Sequence, residues 1–158
     1  MKQLWELGYF LRSVRAKMRH GKFSRAPLRL LRLEWHGETA ECDWVARPPD
    51  AWDATLPERV RDRAASSQAL LDAMALREML FGALPDVHCA EFRAFRQSAR
   101  EPPEPIIIGT VTREIPPMLR VTSPVMRAKL YGFHFLLDDG VLKPLEVGQS
   151  DLQLMMSA

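Results

Sequence analysis

The sequence predicts an α+β domain: an antiparallel sheet of four to six strands built from hairpins, with one long helix across a face and an amphipathic N-terminal helix. Two observations support this fold. Twelve prolines divide the 158 residues into proline-free runs, and proline breaks helix interiors and central strands. The strand-like runs come in neighbouring pairs on either side of a long helical run, an order typical of α+β rather than doubly wound domains.

The first run has the spacing of an amphipathic helix. Its apolar side chains recur at intervals of three and four residues, which places them on one helix face. The basic residues lie mostly off this face, and Gly21 offers an end to the helix. We predict a basic amphipathic helix or arm over residues 1–26 and a single α+β domain over 27–158. The apolar face comprises Leu4, Leu7, Leu11, Val14 and Met18, with Trp5 and Phe10 beside it.

A β-hairpin is predicted next, with His36 and Gly37 as its two-residue turn. Glycine suits a turn position with positive φ. In this register the apolar side chains share one face of the hairpin, and a favourable charge pair forms on the other. The predicted cross-strand neighbours are Leu33 with Ala40, Leu31 with Cys42, and Arg32 with Glu41.

A long helix is predicted to follow and to end at Ala83, just before Pro85. Thr55 and Glu58 have the spacing of a capping box, in which each side chain accepts from the other residue's backbone amide. The second half of this run is apolar on almost every side. Such a helix is buried on all sides, so we expect it to pack on the sheet and on a second element.

A second hairpin is predicted from two strand-like runs, 87–97 and 105–115. The first run alternates between apolar and polar side chains, and the second is rich in β-branched residues. Gly109 interrupts the second strand, which indicates a bulge or a close approach of another backbone.

The last predicted elements are a short helix and a third hairpin. Ser123 and Pro124 are a favourable N-cap and first-turn pair for a helix that reaches Tyr131. The runs 133–137 and 141–145 flank the sequence Asp-Asp-Gly, which is typical of a hairpin turn.

Charge is distributed unevenly along the chain. Residues 1–35 hold nine Lys and Arg against two Glu, whereas the remainder holds 13 basic and 18 acidic residues. A basic segment on an acidic body packs on that body or on a second copy, or it attracts an anionic partner. Nucleic acid is the less favoured partner, because the body is acidic and no recognition motif occurs.

Cysteine usage and hydropathy indicate the compartment. Cys42 and Cys89 are the only cysteines, too few for a disulfide framework. No apolar run reaches the 18 residues of a membrane span, and Glu6, Arg12 and Arg15 interrupt the apolar residues that a signal peptide would need. We expect a cytoplasmic location, with peripheral binding to a membrane as an extension of it.

The motifs of common enzymes are absent. The chain has no GxGxxG or GxxxxGK[ST] loop, no GxSxG elbow and no HExxH. Zinc would suit the residue types of His36, Glu38, Cys42, His88 and Cys89. However, Cys42 is predicted to face inward and Cys89 outward, and His88 reads as a core histidine. We therefore lean away from an enzyme and assign no catalytic residue, metal ligand or cofactor.

The leading hypothesis is a small interaction or assembly module that contacts itself or a protein partner through its N-terminal helix. Large apolar side chains contribute most of the affinity of an interface, and arginines set orientation and association rate. The predicted contact residues are Trp5, Leu7, Leu11, Arg12, Val14 and Arg15.

Two alternatives stay open. In the first, the same helix binds an anionic membrane surface, with its apolar side chains at the headgroup boundary and its arginines on lipid phosphates. In the second, the protein is a small-ligand or enzymatic domain with a pocket between helix and sheet.

Overall fold

The structure, a computed structural model, describes residues 2–18, 26–49, 55–97, 102–118 and 120–145. Within them the chain has the α+β class that the sequence predicts, with a five-stranded, mostly antiparallel sheet and a small two-stranded sheet. The predicted helix end at Gly21 lies outside the described residues. The elements are α1 (Lys2–Lys17), β1 (Arg29–His36), β2 (Thr39–Val45), α2 (Glu58–Ala83), β3 (Cys89–Arg96), β4 (Glu104–Thr112), α3 (Pro124–Tyr131), β5 (Phe133–His134), β6 (Leu136–Asp138) and β7 (Val141–Lys143).

The five strands of the main sheet lie side by side in chain order, from β1 to β5. All neighbours are antiparallel except β2 and β3, which run parallel. They are parallel because α2 carries the chain from the end of β2 back to the level at which β2 began. The sheet therefore consists of two hairpins joined by one parallel pair, with β5 added beside β4, rather than of hairpins alone.

The β1–β2 hairpin forms, but its turn lies one residue later than predicted. Gly37 and Glu38 make the turn, and Gly37 has a φ of +60°. The partner of each residue therefore shifts by two positions, which leaves side chains on the predicted face because alternation has a period of two. The observed pairs are Trp35 with Ala40, Leu33 with Cys42, and Arg32 with Asp43.

A β-bulge in β1 overturns the prediction for Leu31. The pairing skips this residue, and its side chain is exposed rather than facing inward. A bulge leaves one residue unpaired and so interrupts the alternation on which the prediction relied. Arg32 still forms an ion pair with Glu41, its predicted partner, now as a diagonal neighbour.

The long helix α2 ends where predicted, but its cap differs. Pro57 occupies the N-cap position with no side-chain hydrogen bond, so Thr55 and Glu58 do not form the predicted capping box. At the other end Arg113 donates hydrogen bonds to one carbonyl group in the last turn of α2 and to two in the segment that follows it. It donates to the carbonyl oxygens of Phe81, Leu84 and Val87 at 2.9, 2.6 and 2.9 Å.

The core lies between α2 and one face of the main sheet, with α1 and α3 also packed on α2. Trp44, Phe92 and Phe133 form edge-to-face pairs across the sheet, with ring centroids 6.1 and 5.7 Å apart. The second half of α2 is thus covered by several elements, as its all-round apolar pattern predicts. Its buried apolar side chains include Leu70, Leu76, Leu80 and Phe81.

Gly109 marks a close approach of two backbones. A Cβ atom on this residue would lie 2.6 Å from the Gly132 carbonyl oxygen and 3.0 Å from the Phe133 Cα. Both distances are shorter than non-bonded contacts tolerate, so β5 can pair with β4 only because residue 109 lacks a side chain. The predicted close approach at this glycine is therefore confirmed.

The predicted short helix forms, and the predicted final hairpin forms in part. Its first run, 133–137, is divided between β5, which joins the main sheet, and β6, which pairs with β7. Ser123 is the N-cap of α3, and its Oγ accepts a hydrogen bond from the Met126 amide at 3.4 Å. The final hairpin joins β6 to β7 through Asp139 and Gly140, both of which have positive φ. It forms a separate two-stranded sheet and does not extend the main one.

Candidate functional site

One face of α1 belongs to the protein's own core. Phe10, Val14 and Met18 recur every four residues, and all three are buried. Leu7 is half-buried on the same side. This face packs on α2, which removes its apolar surface from water and holds α1 against the domain.

The opposite face of α1 is exposed and combines aromatic with basic side chains. Trp5 is 73% exposed and Tyr9 56% exposed, one helical turn apart. Arg12 and Arg15 are exposed in the two turns that follow. These four residues are called the outward face of α1 below.

The structure exposes four of the six predicted contact residues and buries part of the rest. Val14 is 5% exposed and lies in the core, and Leu7 is half-buried. Leu11 lies at the margin of the outward face and is 39% exposed. The exposed members are Trp5, Leu11, Arg12 and Arg15.

Tyr9 is an exposed residue of this face that was not predicted from the sequence. The prediction relied on the apolar residues at heptad spacing, which do not include Tyr9. Tyr9 nevertheless lies four positions after Trp5, on the same helix face. Two aromatic residues at that spacing, off the apolar row, were the signal that could have identified the outward face.

The two arginines of the outward face are not neutralised in the described part of the chain. No ion pair joins Arg12 or Arg15 to a carboxylate there. The Arg12 guanidinium lies beside Gly8, where an added Cβ would be 3.7 Å from its Nη1. Positive charge therefore lies along the helix surface, next to two exposed rings, an arrangement suited to cation–π contacts with a partner.

The sheet face turned away from α2 carries an excess of negative charge. Glu34, Glu41 and Glu91 lie side by side on β1, β2 and β3. Burial raises the pKa of Glu91, and the neighbouring Glu41 charge raises it further. Arg32 contacts both Glu34 and Glu41. Because α1 packs on α2, on the other side of the sheet, its arginines do not compensate these carboxylates.

The residues considered for zinc are dispersed. Within the described residues, no three His, Cys, Asp or Glu side chains form a group that could hold a metal ion. Cys42 is buried and Cys89 half-buried, and in their alternation on β2 and β3 they face opposite sides of the sheet, as predicted. His36 is exposed, and so is His88, for which a core position was predicted wrongly. His88 precedes β3, so the strand alternation does not reach it.

None of the helices in the described ranges is both long and apolar enough to cross a membrane. No protein-family model, no curated protein and no solved structure matches the chain. A function for it therefore rests on its own residues, and the outward face of α1 combines exposed aromatic and basic side chains suited to a partner.

Proposed function

We propose that the protein is an assembly module that self-associates through the outward face of α1. One observation supports this most directly: the helix has one face in the core, while the other exposes two aromatic rings beside two arginines. Aromatic and arginine side chains are enriched among the residues that dominate protein interfaces. A second copy can reach this face without any change to the core.

A two-fold axis near the middle of α1 would make its outward face complementary to itself. Such an axis sets the two helices antiparallel, so that the two ends of the face meet. The midpoint between Trp5 and Arg15 is position 10, and the midpoint between Tyr9 and Arg12 lies half a residue further, about 0.75 Å along the helix. One axis therefore brings every ring opposite an arginine of the second copy.

Cation–π contacts would then hold the pair of helices together. A guanidinium over an aromatic ring contributes about 0.5–1 kcal/mol at an exposed site, and more when water is excluded. A parallel arrangement would instead place arginine beside arginine, which is unfavourable. The antiparallel pairing thus gives the contact both its affinity and its orientation.

The size of the contact limits its strength. A single helix face is smaller than a standard interface, which buries about 800 Å² on each partner. We expect a dissociation constant of tens of micromolar, about −6 kcal/mol, so that assembly depends on protein concentration.

Sedimentation equilibrium of the full chain over a range of concentrations tests the proposal. We expect a monomer–dimer equilibrium that Trp5→Ala weakens at least tenfold, because a buried tryptophan at an interface is a typical hot spot. Met126→Ala is the matched control, since Met126 is 51% exposed on α3 and lies outside the outward face. A full chain that stays monomeric up to about 1 mM would overturn the proposal.

A membrane surface is the competing partner, and vesicle sedimentation distinguishes it. Vesicles of phosphatidylcholine alone and with phosphatidylglycerol are mixed with the full chain and with Arg12→Gln and Arg15→Gln. A monomeric chain that sediments only with the anionic vesicles, and is released by both substitutions, would assign the outward face to lipid and reject self-association.

A further inference from the structure

A cleft of about 660 Å³ lies at the ends of β2 and β3, beside the first half of α2. The start of β1 and the residues after β2 complete its walls. Crevices at the carboxyl ends of parallel strands, next to their crossover helix, are a frequent location for ligands. The volume lies within the range of small-molecule sites, and most of the described lining is apolar, including Pro27, Val45 and Ile106.

One arginine in the wall of this cleft is already neutralised. Arg47 donates from Nε and Nη2 to the Asp72 carboxylate at 2.9 and 3.2 Å, and from Nη1 to the Ala26 carbonyl at 3.1 Å. Gln68 donates to the same carboxylate at 2.8 Å. This buried pair builds the wall and adds little net charge to the cleft.

Two further arginines line the cleft without a carboxylate partner among the described residues. Arg96 is half-buried, and its Nη2 donates to the Leu142 carbonyl at 2.7 Å, which anchors the guanidinium. Arg29 is exposed, and its Nη1 lies 3.5 Å from the Gln97 Oε1. No ion pair joins either arginine to Asp62, the one acidic side chain in the described lining. The described part of the lining therefore carries a net positive charge.

Ser66 adds a hydroxyl group to the same lining. Its Oγ accepts a hydrogen bond from the Leu142 amide at 2.9 Å, so the hydroxyl hydrogen can donate to a ligand. Two guanidinium groups and one hydroxyl thus line a mostly apolar cleft. Hydrogen-bond donors outnumber acidic groups there, which favours an anion.

We propose that this cleft binds a small organic anion, a carboxylate or phosphate ester with an apolar body. Arg29 and Arg96 hold the acid group, because guanidinium groups form charge-assisted and often bidentate hydrogen bonds with carboxylate and phosphate. The proline and aliphatic side chains cover the apolar body. No residue of the outward face is among the described lining of the cleft, so this site is separate from that face.

Calorimetric titration of the full chain with phenyl phosphate, benzoate and benzyl alcohol tests the site. We expect saturable binding of an anion with a dissociation constant near 1 mM or tighter, about −4 kcal/mol. The two anions distinguish a phosphate from a carboxylate as the acid group. Benzyl alcohol, which has a similar ring and no charge, is expected to bind at least tenfold more weakly, and inorganic phosphate measures the contribution of the ring.

Three variants connect the binding to the cleft. Arg29→Gln is expected to weaken anion binding roughly tenfold, because the loss of one hydrogen bond to a charged group typically lowers the affinity by about that factor. Arg96→Gln should do the same, and Arg29→Gln keeps the test decisive if losing the Leu142 contact prevents folding. Arg127→Gln, on α3 and outside the cleft lining, is the matched control and should bind as the unmodified chain does.

The proposal is overturned by either of two results. One is that neither anion shows saturable binding up to about 10 mM, since a dissociation constant above that limit means a binding free energy of less than about 3 kcal/mol. The other is unchanged anion affinity in a folded Arg29→Gln variant.

Discussion

Arg47 and Asp72 form a buried ion pair that ties the segment after β2 to the middle of α2. The Arg47 Nε lies 2.9 Å from the Asp72 Oδ2, and both side chains are almost completely buried. Burial raises the pKa of Asp72, and the positive charge of Arg47 offsets only part of this effect. Each charge therefore depends on the other, because removing one partner leaves an uncompensated charge in the core.

Arg47→Met should lower the free energy of unfolding at neutral pH by about 3 kcal/mol, because it leaves the buried Asp72 carboxylate without its positively charged partner. Arg47 lowers the pKa of Asp72, so in the variant burial raises the folded-state pKa of Asp72 further, and the folded variant binds a proton at Asp72 at a higher pH than the unfolded variant does. The deficit should therefore shrink as the pH falls through that folded-state pKa. Urea unfolding at several pH values measures both effects.

The double variant Arg47→Met with Asp72→Leu is the control for that prediction. With both charges removed, we expect most of the lost stability to return, since an apolar pair of similar volume often replaces a buried ion pair without loss. If the double variant is as unstable as Arg47→Met alone, packing rather than charge governs this position.

Gly109→Ala should destabilise the fold by about 2 kcal/mol, the usual effect of forcing a methyl group into a packed site. The atoms in the way belong to the backbone of Gly132 and Phe133, which cannot turn aside as a side chain can. Gly82→Ala is the matched control. A Cβ there meets nothing within 4 Å, and alanine favours the helix by up to about 1 kcal/mol. Urea midpoints of the two variants should shift in opposite directions.

Glu91→Gln should stabilise the protein at neutral pH by about 0.5 kcal/mol, because it removes a partly buried charge and its like-charge contact with Glu41, which solvent partly screens. The folded-state pKa of Glu91 is raised, so its ionisation destabilises the fold as the pH rises above about 4.3, its unfolded value. The advantage of the variant should vanish below that pH in urea unfolding experiments.

Glu34→Gln provides the contrasting case on the same sheet face. The hydrogen bond from Arg32 lowers the pKa of Glu34. Its ionised form is therefore favoured in the folded state, and its contribution to stability is lost as the pH falls through that lowered pKa. Glu34→Gln should consequently destabilise the protein at neutral pH. A gain in stability for this variant would show that the two glutamates do not differ as their surroundings imply.

Local sequence signals predicted most elements of this fold. The end of α2 follows from Gly82 and Pro85, and the start of α3 from Ser123 and Pro124, because these effects act within one helical turn. The pairing of β2 with β3 is different. Side chains alternate in the same way in parallel and antiparallel strands, so the pattern around Cys42 could not reveal the strand direction.

The same limit explains which sites were predictable. Trp5 and Arg12 lie seven residues apart on one helix, so the sequence alone places them on one face. Arg29 and Arg96 are 67 positions apart and line one cleft only because β1 begins where β2 and β3 end. No local sequence pattern indicates that residues so far apart lie in one cleft, so the residues that line the cleft were not predicted.

The parallel pairing of β2 with β3 also has a consequence for the newly made chain. The first residue of β3 follows the last residue of β2 by 44 positions, so β2 is synthesised well before the strand that pairs with it. At about 5–20 residues per second, its edge stays unpaired for several seconds. Glu41 and Asp43 place two negative charges on β2 during this interval. On a polysome, where identical chains emerge close together, their mutual repulsion hinders pairing between the β2 strands of neighbouring chains.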